Sequence, residues 1–263
     1  MRLLLVEDNA VNQKLAVRLL EKMGNRVSLA VNGKEATEMV ERQDFDVILM
    51  DIQMPVMGGL EATRIIRAAN NPRIRKLPII AMTANAMAGD AQKYLEAGMD
   101  GYVSKPIDKE LLKSELERFA ERAKNQTIEA PAPTLLTAQV AAKAPSVDEQ
   151  IFNFNELLER VDNDRDLMRE LLEIFKNDFP RHHSELLAAV AGSDMRRVQS
   201  IGHTLKGMFS NLAAGRAAAT AAELEKIGNG SSTSSLPEAL TFLEKESAAL
   251  LPILDSCLEE VCR

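Results

Sequence analysis

The sequence has 263 residues, contains no tryptophan, and has only 4% aromatic residues and two cysteines. Cys257 and Cys262 are too few to form a disulfide framework, so we expect a reducing compartment and a cytoplasmic location. No apolar run reaches the roughly 20 residues that span a bilayer, and the run at residues 3–6 is too short for the core of a signal peptide. The sequence therefore predicts a soluble protein without a membrane segment.

The charge balance is acidic, with a net charge of −7 and a pI of about 5.2. An acidic chain has no general attraction for nucleic acid or anionic lipid, so neither is an expected partner. The densest basic cluster, Arg73, Arg75 and Lys76, is flanked by prolines and is interpreted as a solvated turn. The 46% hydrophobic content and the length predict a globular protein of one large or two ordinary domains.

The first 122 residues alternate short apolar runs of strand length with amphipathic helical patterns. The runs lie at residues 3–6, 27–31, 47–50, 77–82 and 101–103. Uninterrupted apolar strands are typical of a parallel sheet that is covered by helices on both faces. This half is therefore predicted to be an α/β doubly wound domain with a five-stranded parallel sheet.

Polar side chains follow four of these strands: Glu7 and Asp8, Asp51, Thr83, and Lys105. The carboxyl ends of parallel strands meet at one edge, so these groups should share a cavity. Packed carboxylates repel unless a cation neutralises them, and oxygen ligands with water suit Mg²⁺. A lone aspartate at the end of a strand more often caps a turn. With these polar groups expected beside it, Asp51 is the candidate nucleophile toward a phosphoryl group. Lys105 and Thr83 would hold the phosphoryl oxygens.

The chain changes character after residue 122. Residues 123–150 are dominated by Ala, Pro and Thr and are predicted to be a linker. From residue 151 onward the strand patterns vanish, and four long helical patterns follow one short segment. Residues 151–263 are therefore predicted to form an all-α four-helix bundle. Pro252 lies within the last helical pattern and is expected to kink or split it.

His203 of the predicted bundle lies at a position that would suit a phosphorylated residue. Its helix has an apolar core stripe, formed by Val198, Ile201, Leu205, Met208 and Leu212. At about 100° per residue, His203 points away from that stripe and is predicted to face solvent. Lys206 and Gly207 lie one turn further on, so Lys206 could neutralise a phosphoryl group on His203. An ordinary surface histidine is the alternative that this geometry leaves open.

Residues 1–122 resemble the receiver domain of two-component signalling. The resemblance is carried by Leu-Leu-Val-Glu-Asp-Asn at residues 4–9, the Asp51 segment with Met54-Pro55, Met-Thr-Ala-Asn-Ala at residues 82–86, and Lys105-Pro106. It implies a flavodoxin-like fold in which Asp51 accepts a phosphoryl group.

The same resemblance implies roles for the neighbours of Asp51. The implied Mg²⁺ ligands are Glu7, Asp8, Asp51 and the backbone carbonyl of Gln53. Thr83 and Lys105 would contact the phosphoryl oxygens, and the Lys105–Pro106 bond is expected to be cis. Tyr102 matches an aromatic switch that follows Thr83 inward on activation, with a half-buried strand tyrosine as the alternative. Asn85 and Gln53 occupy the positions that tune hydrolysis in the family.

Residues 151–258 are similar to a histidine phosphotransfer (HPt) domain. The motif is His203-Thr204-Leu205-Lys206-Gly207 followed by Asn211-Leu212. The resemblance implies that His203 is phosphorylated at Nε2, with Lys206 and Gly207 in support. The sequence departs from the family at Ala213, where glycine is common, and this departure is not expected to affect the chemistry.

Together the two resemblances predict a cytoplasmic phosphorelay protein. A sensor histidine kinase would phosphorylate Asp51, and His203 would pass the group to or from a receiver aspartate of a downstream response regulator. The sequence has no candidate ATP-binding kinase domain. It fits both the C-terminal end of a hybrid sensor kinase and a free-standing protein, and Met1 does not distinguish them. The alternatives are a Mg²⁺-dependent phosphohydrolase with an aspartyl-phosphate intermediate and a scaffold that is never phosphorylated.

Overall fold

The computed structural model describes residues 1–83, 88–124, 151–230 and 233–261. The chain forms two compact units, one of which contains a β-sheet and the other the long helices of the second half. The greater part of the predicted linker, residues 125–150, lies outside the described residues, as does Asn85. Within the described ranges, no helix is both long and apolar enough to span a bilayer.

The first 124 residues contain strands and helices in alternation. The elements are β1 (Arg2–Val6), α1 (Ala10–Lys22), β2 (Arg26–Ala30), α2 (Gly33–Arg42), β3 (Val47–Asp51), α3 (Gly59–Ala68), α4 (Pro72–Arg75), β4 (Ile79–Thr83), α5 (Ala88–Glu96), β5 (Gly101–Ser104) and α6 (Lys109–Lys124). The strands pair in parallel in the order β2-β1-β3-β4-β5. The predicted five-stranded parallel sheet is therefore confirmed.

The two faces of the sheet bury different residues because side chains alternate along each strand. One face packs Ile48 and Met50 of β3 against α2, α3 and α5. The other face packs Val47 and Leu49 of the same strand against α1 and α6. Burial on both faces explains why β3 is apolar up to Asp51, its last residue.

The predicted basic turn forms the one-turn helix α4. The Asn71 side chain caps it by accepting a hydrogen bond from the Arg73 backbone N–H at 3.0 Å, and Pro72 suits the first helical position. Arg73 also pairs with Asp44 and donates to the Val40 carbonyl at 3.2 Å. Arg73, Arg75 and Lys76 are all exposed, in agreement with the predicted solvated turn.

The second half contains helices only among its described residues. They are α7 (Phe154–Arg160), α8 (Arg165–Ala191), α9 (Met195–Asn211), α10 (Gly215–Gly228), a short 3₁₀ turn (Thr233–Ser235) and α11 (Leu236–Val261). This confirms the predicted all-α second half, with a short first helix and four long ones. The apolar stripe of α9 is buried as predicted.

The last helix is not split at Pro252. Helix α11 continues from Leu236 to Val261 with the proline inside it. Pro252 lacks one backbone N–H, which weakens the helix at that point. Leu250 and Leu254 are both fully buried on either side of it, and this packing holds α11 through the proline.

The turn after α9 gives Ala213 an unusual conformation. Ala213 has a φ of 56°, in the left-handed region. Its N–H donates to the Ser210 carbonyl at 3.1 Å, and the Ala214 N–H donates to the Phe209 carbonyl at 2.9 Å. Glycine adopts this conformation without the steric cost that a Cβ imposes, which is a physical reason for the glycine that the HPt resemblance leads one to expect here.

We therefore predict that Ala213→Gly stabilises the helical unit by about 0.5–1 kcal/mol because it relieves the left-handed strain. The measurement is amide hydrogen exchange of α8, α9 and α10, whose slowest amides should exchange about two- to fivefold more slowly. Ala214→Gly is the matched control, since Ala214 has a φ of −98°, and this variant should exchange faster. Equal or faster exchange in Ala213→Gly would contradict the argument.

Candidate functional site

The strand register brings the predicted polar residues to one edge of the sheet. Val6 pairs with Met50, Asp51 pairs with Met82, and Thr83 pairs with Ser104. Glu7 and Lys105 each follow one of these paired residues directly. The carboxyl ends of β1, β3, β4 and β5 therefore form one site.

Lys105 binds two of the carboxylates directly. Its Nζ donates to Glu7 Oε2 at 2.5 Å and to Asp51 Oδ2 at 2.6 Å. Glu7 is 1% exposed and Asp51 is 2% exposed, so this charge cluster is almost fully buried. Burial lowers the pKa of Lys105, but the charges of Asp51 and Glu7 outweigh that effect and raise the pKa above its ordinary value. Lys105 is therefore a fixed cation between the two acids. The Lys105–Pro106 bond is cis, as expected.

The carboxylates themselves fit a hard cation. One oxygen from each of Glu7, Asp8 and Asp51 lies within 4.8 Å of the other two. Burial raises the pKa of Glu7 to about 8, with Lys105 opposing the rise and the charges of Asp51 and Asp8 adding to it. A divalent cation would relieve this crowding of negative charge, and an all-oxygen set suits Mg²⁺. The Gln53 backbone N–H donates to Asp51 Oδ1 at 3.2 Å; its carbonyl as a ligand stays a prediction.

The start of α3 depends on a glycine directly behind Asp51. In the structure, Gly59 is the first residue of α3, and a Cβ at that position would collide with the backbone carbonyl of Asp51. Gly59 therefore allows α3 to begin directly behind the central carboxylate, with its N–H donating to the Ile52 carbonyl at 3.0 Å.

Thr83 contacts a tyrosine that the sequence analysis missed. The hydroxyls of Thr83 and Tyr94 are 2.7 Å apart, and both residues are buried. The predicted switch residue, Tyr102, is half-buried and packs against the same apolar cluster as Tyr94. On α5, Tyr94 is buried and its neighbour Leu95 is half-buried.

In the helical unit, His203 is part of a three-residue polar cluster. His203 Nδ1 lies 2.8 Å from Glu225 Oε1, and Lys206 Nζ donates to Glu225 Oε2 at 3.1 Å. Burial raises the pKa of Glu225, but the hydrogen bond and charge of His203, together with Lys206, outweigh that effect and lower the pKa overall. Glu225 is therefore ionised at neutral pH and can only accept hydrogen bonds. Because Glu225 only accepts, His203 Nδ1 is the donor of this hydrogen bond, and in a neutral imidazole the lone pair would then lie on Nε2.

His203 is less exposed than the sequence predicted. Its side chain retains 12% of its accessible surface. It lies off the buried stripe of α9, as predicted, but Glu225 of α10 covers one edge of the ring. The helical period of α9 predicts which face of that helix His203 lies on. It cannot predict which side chain of a neighbouring helix packs beside the ring.

Close packing of α9 and α10 brings Glu225 to the histidine. A Cβ at Gly202 would lie 2.7 Å from the Glu225 backbone nitrogen, so only glycine permits this approach. Gly228 has the same role against the backbone of Gln199. The signal that could have revealed Glu225 is its spacing, since it shares a helical face with Ala221 and Gly228. A single glutamate on a face of small residues indicates a buried polar contact.

The chain matches two known families. Residues 3–117 match the family described as response regulator receiver domain, and residues 170–262 match the family described as Hpt domain. The signal transduction histidine-protein kinase BarA of Shigella flexneri is 34% identical over 213 residues, covering 79% of this chain and 22% of BarA. The aerobic respiration control sensor protein ArcB of Escherichia coli is 32% identical over 207 residues, covering 79% of this chain and 25% of ArcB. The chain thus spans a quarter or less of these curated relatives.

Solved structures are similar to part of the chain. The magnesium-bound receiver domain of the sensor histidine kinase PA1611 from Pseudomonas aeruginosa is 45% identical, covers 46% of this chain and 97% of that chain, and has a TM-score of 0.43. A co-crystal structure of the Saccharomyces cerevisiae phosphotransfer protein Ypd1 with the receiver domain of Ssk1 matches at 29% identity, covers 47% of this chain and 90% of that chain, and has a TM-score of 0.43.

The raised pKa of Glu7 predicts a pH-dependent metal affinity. A carboxyl group with a pKa of about 8 is protonated at neutral pH, and a cation must displace that proton in order to bind. The dissociation constant for Mg²⁺ should therefore fall by about tenfold as the pH rises from about 6.5 toward 8, and level off above it. Titration calorimetry in two buffers of different ionisation enthalpy would measure both the affinity and the released proton.

The control for this titration is Glu7→Gln. This variant should bind Mg²⁺ more weakly, since it loses a charged ligand, and with little dependence on pH over the same interval. An affinity of the unaltered protein that is constant across this interval, without proton release, would show that Glu7 is already ionised.

Proposed function

This chain contains a response regulator receiver domain followed by an Hpt domain, and we propose that Asp51 and His203 carry the phosphoryl group in its two-component phosphorelay. The observation that carries the proposal is the bridge from Lys105 to both Asp51 and Glu7. That bridge places a cation and a cluster of acids around one carboxylate. We propose domain limits of residues 1–122 and 151–263, joined by a linker at residues 123–150.

In the first step, a carboxylate oxygen of Asp51 attacks the phosphorus of a phosphohistidine on a kinase. The P–N bond breaks, a P–O bond forms, and the acyl phosphate gains negative charge in a buried site. Lys105 lies 2.6 Å from Asp51 and stabilises that charge without reorganisation. Thr83 supplies a hydroxyl donor to the phosphoryl oxygens. Bound Mg²⁺, held by Glu7, Asp8, Asp51 and the carbonyl of Gln53, would supply further positive charge to these oxygens.

In the second step, His203 is the nucleophile or the leaving group. The hydrogen bond to Glu225 holds the proton on Nδ1, so Nε2 presents its lone pair to the acyl phosphate. The P–O bond to an aspartate breaks and a P–N bond to His203 forms. Lys206, beside the ring, balances the charge of the phosphoryl group, with Gly207 leaving room one turn after the histidine. Both phosphorylated forms are high in energy, so the transfer is reversible.

The partners are proposed to be a sensor histidine kinase and a separate receiver domain. The names of the relatives support the first, since they are histidine kinases. The phosphotransfer protein bound to a receiver domain in a solved structure is an example of the second class of complex. We propose the cytoplasm as the location of this exchange, where the free thiol of Cys257 would stay reduced.

The relay is tested by following a radioactive phosphoryl group from a phosphodonor kinase, with Mg²⁺, into three proteins: the unaltered chain, Asp51→Asn and His203→Gln. We expect acid-stable label that requires Asp51 and base-stable label that requires His203, because aspartyl phosphate and phosphohistidine differ in lability. Label on His203 in Asp51→Asn would mean that the two domains serve different partners. Label in neither residue would favour a scaffold, and turnover of an added phosphomonoester would favour a phosphohydrolase.

The Glu225 contact predicts a positioning effect on His203. In Glu225→Gln, the amide can accept or donate, so it no longer restricts the proton to Nδ1. Transfer to His203 should slow by about 10-fold, in the range of groups that orient a reactive histidine. Nitrogen-15 NMR of the imidazole should show a shift of the tautomer away from Nδ1–H.

Glu223→Gln is the matched control for this experiment. Glu223 lies on the same helix, is half exposed, and pairs with Lys226 at 3.5 Å. It should leave both the rate and the tautomer unchanged. An unaltered tautomer in Glu225→Gln together with a normal transfer rate would eliminate the positioning role of Glu225.

A further inference from the structure

Thr83 of the proposed phosphorylation site is hydrogen-bonded to Tyr94, a residue to which the proposed function assigns no role. The two hydroxyl oxygens are 2.7 Å apart. Thr83 is 4% exposed and Tyr94 is 7% exposed, so water does not compete for this contact. A buried tyrosine hydroxyl needs a polar partner, and here that partner belongs to the site.

The backbone of Thr83 is held by the sheet. Thr83 is the last residue of β4, it pairs with Ser104 of β5, and its carbonyl accepts the Lys105 N–H at 2.6 Å. Its side chain can still place the hydroxyl in more than one staggered position. The direction of the hydroxyl therefore depends on its hydrogen-bond partner rather than on the backbone.

Tyr94 is itself held rigidly. It belongs to the apolar cluster that contains Met50 and Ala81 on the neighbouring strands. Its carbonyl accepts the Met99 N–H at 3.0 Å, which fixes the end of α5. A phenol in such a position can orient a flexible hydroxyl with precision, because its own rotamer is locked by packing.

The hydrogen-bonding capacity of the two hydroxyls indicates which one donates to the other. A threonine hydroxyl has one proton and two acceptor lone pairs. Either hydroxyl could donate across this contact, and the greater acidity of a phenol favours the arrangement in which Tyr94 donates and Thr83 accepts. The single proton of Thr83 is then directed to another acceptor, and each hydrogen bond of such a chain strengthens the next.

We propose that Tyr94 is a positioning residue for the phosphoryl group on Asp51, acting through Thr83. The Tyr94 hydroxyl donates to Thr83 Oγ1, and the Thr83 hydroxyl donates to a phosphoryl oxygen. Tyr94 itself takes no part in making or breaking a bond to phosphorus. It determines only the direction in which the Thr83 hydroxyl donates. The inference rests on the proposed function of Asp51.

The test measures binding of beryllofluoride, a phosphoryl analogue, to the full chain in the presence of Mg²⁺. Tyr94→Phe keeps the ring and removes only the hydroxyl, and it should weaken binding about 3- to 10-fold, the effect of one hydrogen bond. Thr83→Val removes the intermediate group. Since Tyr94 acts through Thr83, adding Tyr94→Phe to Thr83→Val should change the affinity by less than about twofold.

A control variant separates this role from a general effect of removing a buried hydroxyl. Thr63 lies on α3 in the same unit and is fully buried. Thr63→Val should leave the beryllofluoride affinity within about twofold of the unaltered protein. The proposal would be overturned if Thr63→Val and Tyr94→Phe lost the same amount of beryllofluoride affinity. It would also be overturned if Tyr94→Phe changed that affinity equally in the unaltered chain and in Thr83→Val.

A spectroscopic measurement keeps the Tyr94 hydroxyl in place. The chain has two tyrosines and no tryptophan, so Tyr102→Phe labelled with 3-fluorotyrosine has one fluorine resonance from the protein, that of Tyr94. Beryllofluoride should shift this resonance, and Thr83→Val should abolish the shift. A shift that persists in Thr83→Val would contradict the relay.

The outcomes also separate this inference from the function on which it rests. If the unaltered chain binds no beryllofluoride with Mg²⁺, the role of Asp51 is wrong and the role of Tyr94 falls with it. If the unaltered chain binds and Tyr94→Phe binds equally well, the role of Tyr94 alone is wrong.

Discussion

The receiver domain depends on one charge contact, the sharing of the Lys105 ammonium by Glu7 and Asp51. Two almost fully buried carboxylates would be very costly without a cation between them. Lys105 follows β5, Glu7 follows β1 and Asp51 ends β3, so the lysine reaches past β4 to bind both. The parallel sheet thus brings the three groups to one edge.

The two domains use different groups to hold a proposed phosphoryl acceptor in a reactive state. In the receiver domain the proposed phosphoryl acceptor is an acid, and a lysine compensates its charge directly. In the Hpt domain the proposed acceptor is an imidazole, and Glu225 joins it to Lys206. The carboxylate of Glu225 accepts from the ring nitrogen that faces it. Burial raises the pKa of that carboxyl group, but the contacts with His203 and then Lys206 lower the pKa overall. Each acceptor is thus prepared by neighbours that hold its charge or proton in place.

Small residues make both arrangements possible. Gly59 lets α3 begin against the backbone of Asp51, and Gly202 lets α10 approach α9 closely enough to bring Glu225 to His203. At both positions the requirement is for space rather than for a special φ angle. Ala213 is the opposite case, since there the left-handed backbone is what favours glycine. Glycine is thus required for space at Gly59 and Gly202, whereas position 213, where the backbone conformation favours glycine, holds alanine.

The sequence by itself determined the order of strands and helices and the polar groups at the strand ends. Apolar runs and helical periods are local properties, and they placed Asp51 at the end of β3, Lys105 after β5 and His203 off the buried stripe of α9. Only the tertiary structure showed Glu225 beside His203, Tyr94 beside Thr83, and α11 continuous through Pro252. Each of these depends on which faces of two elements meet and how closely they pack. A periodic pattern reports which face of a helix is buried, whereas the partner of that face is decided by the fold.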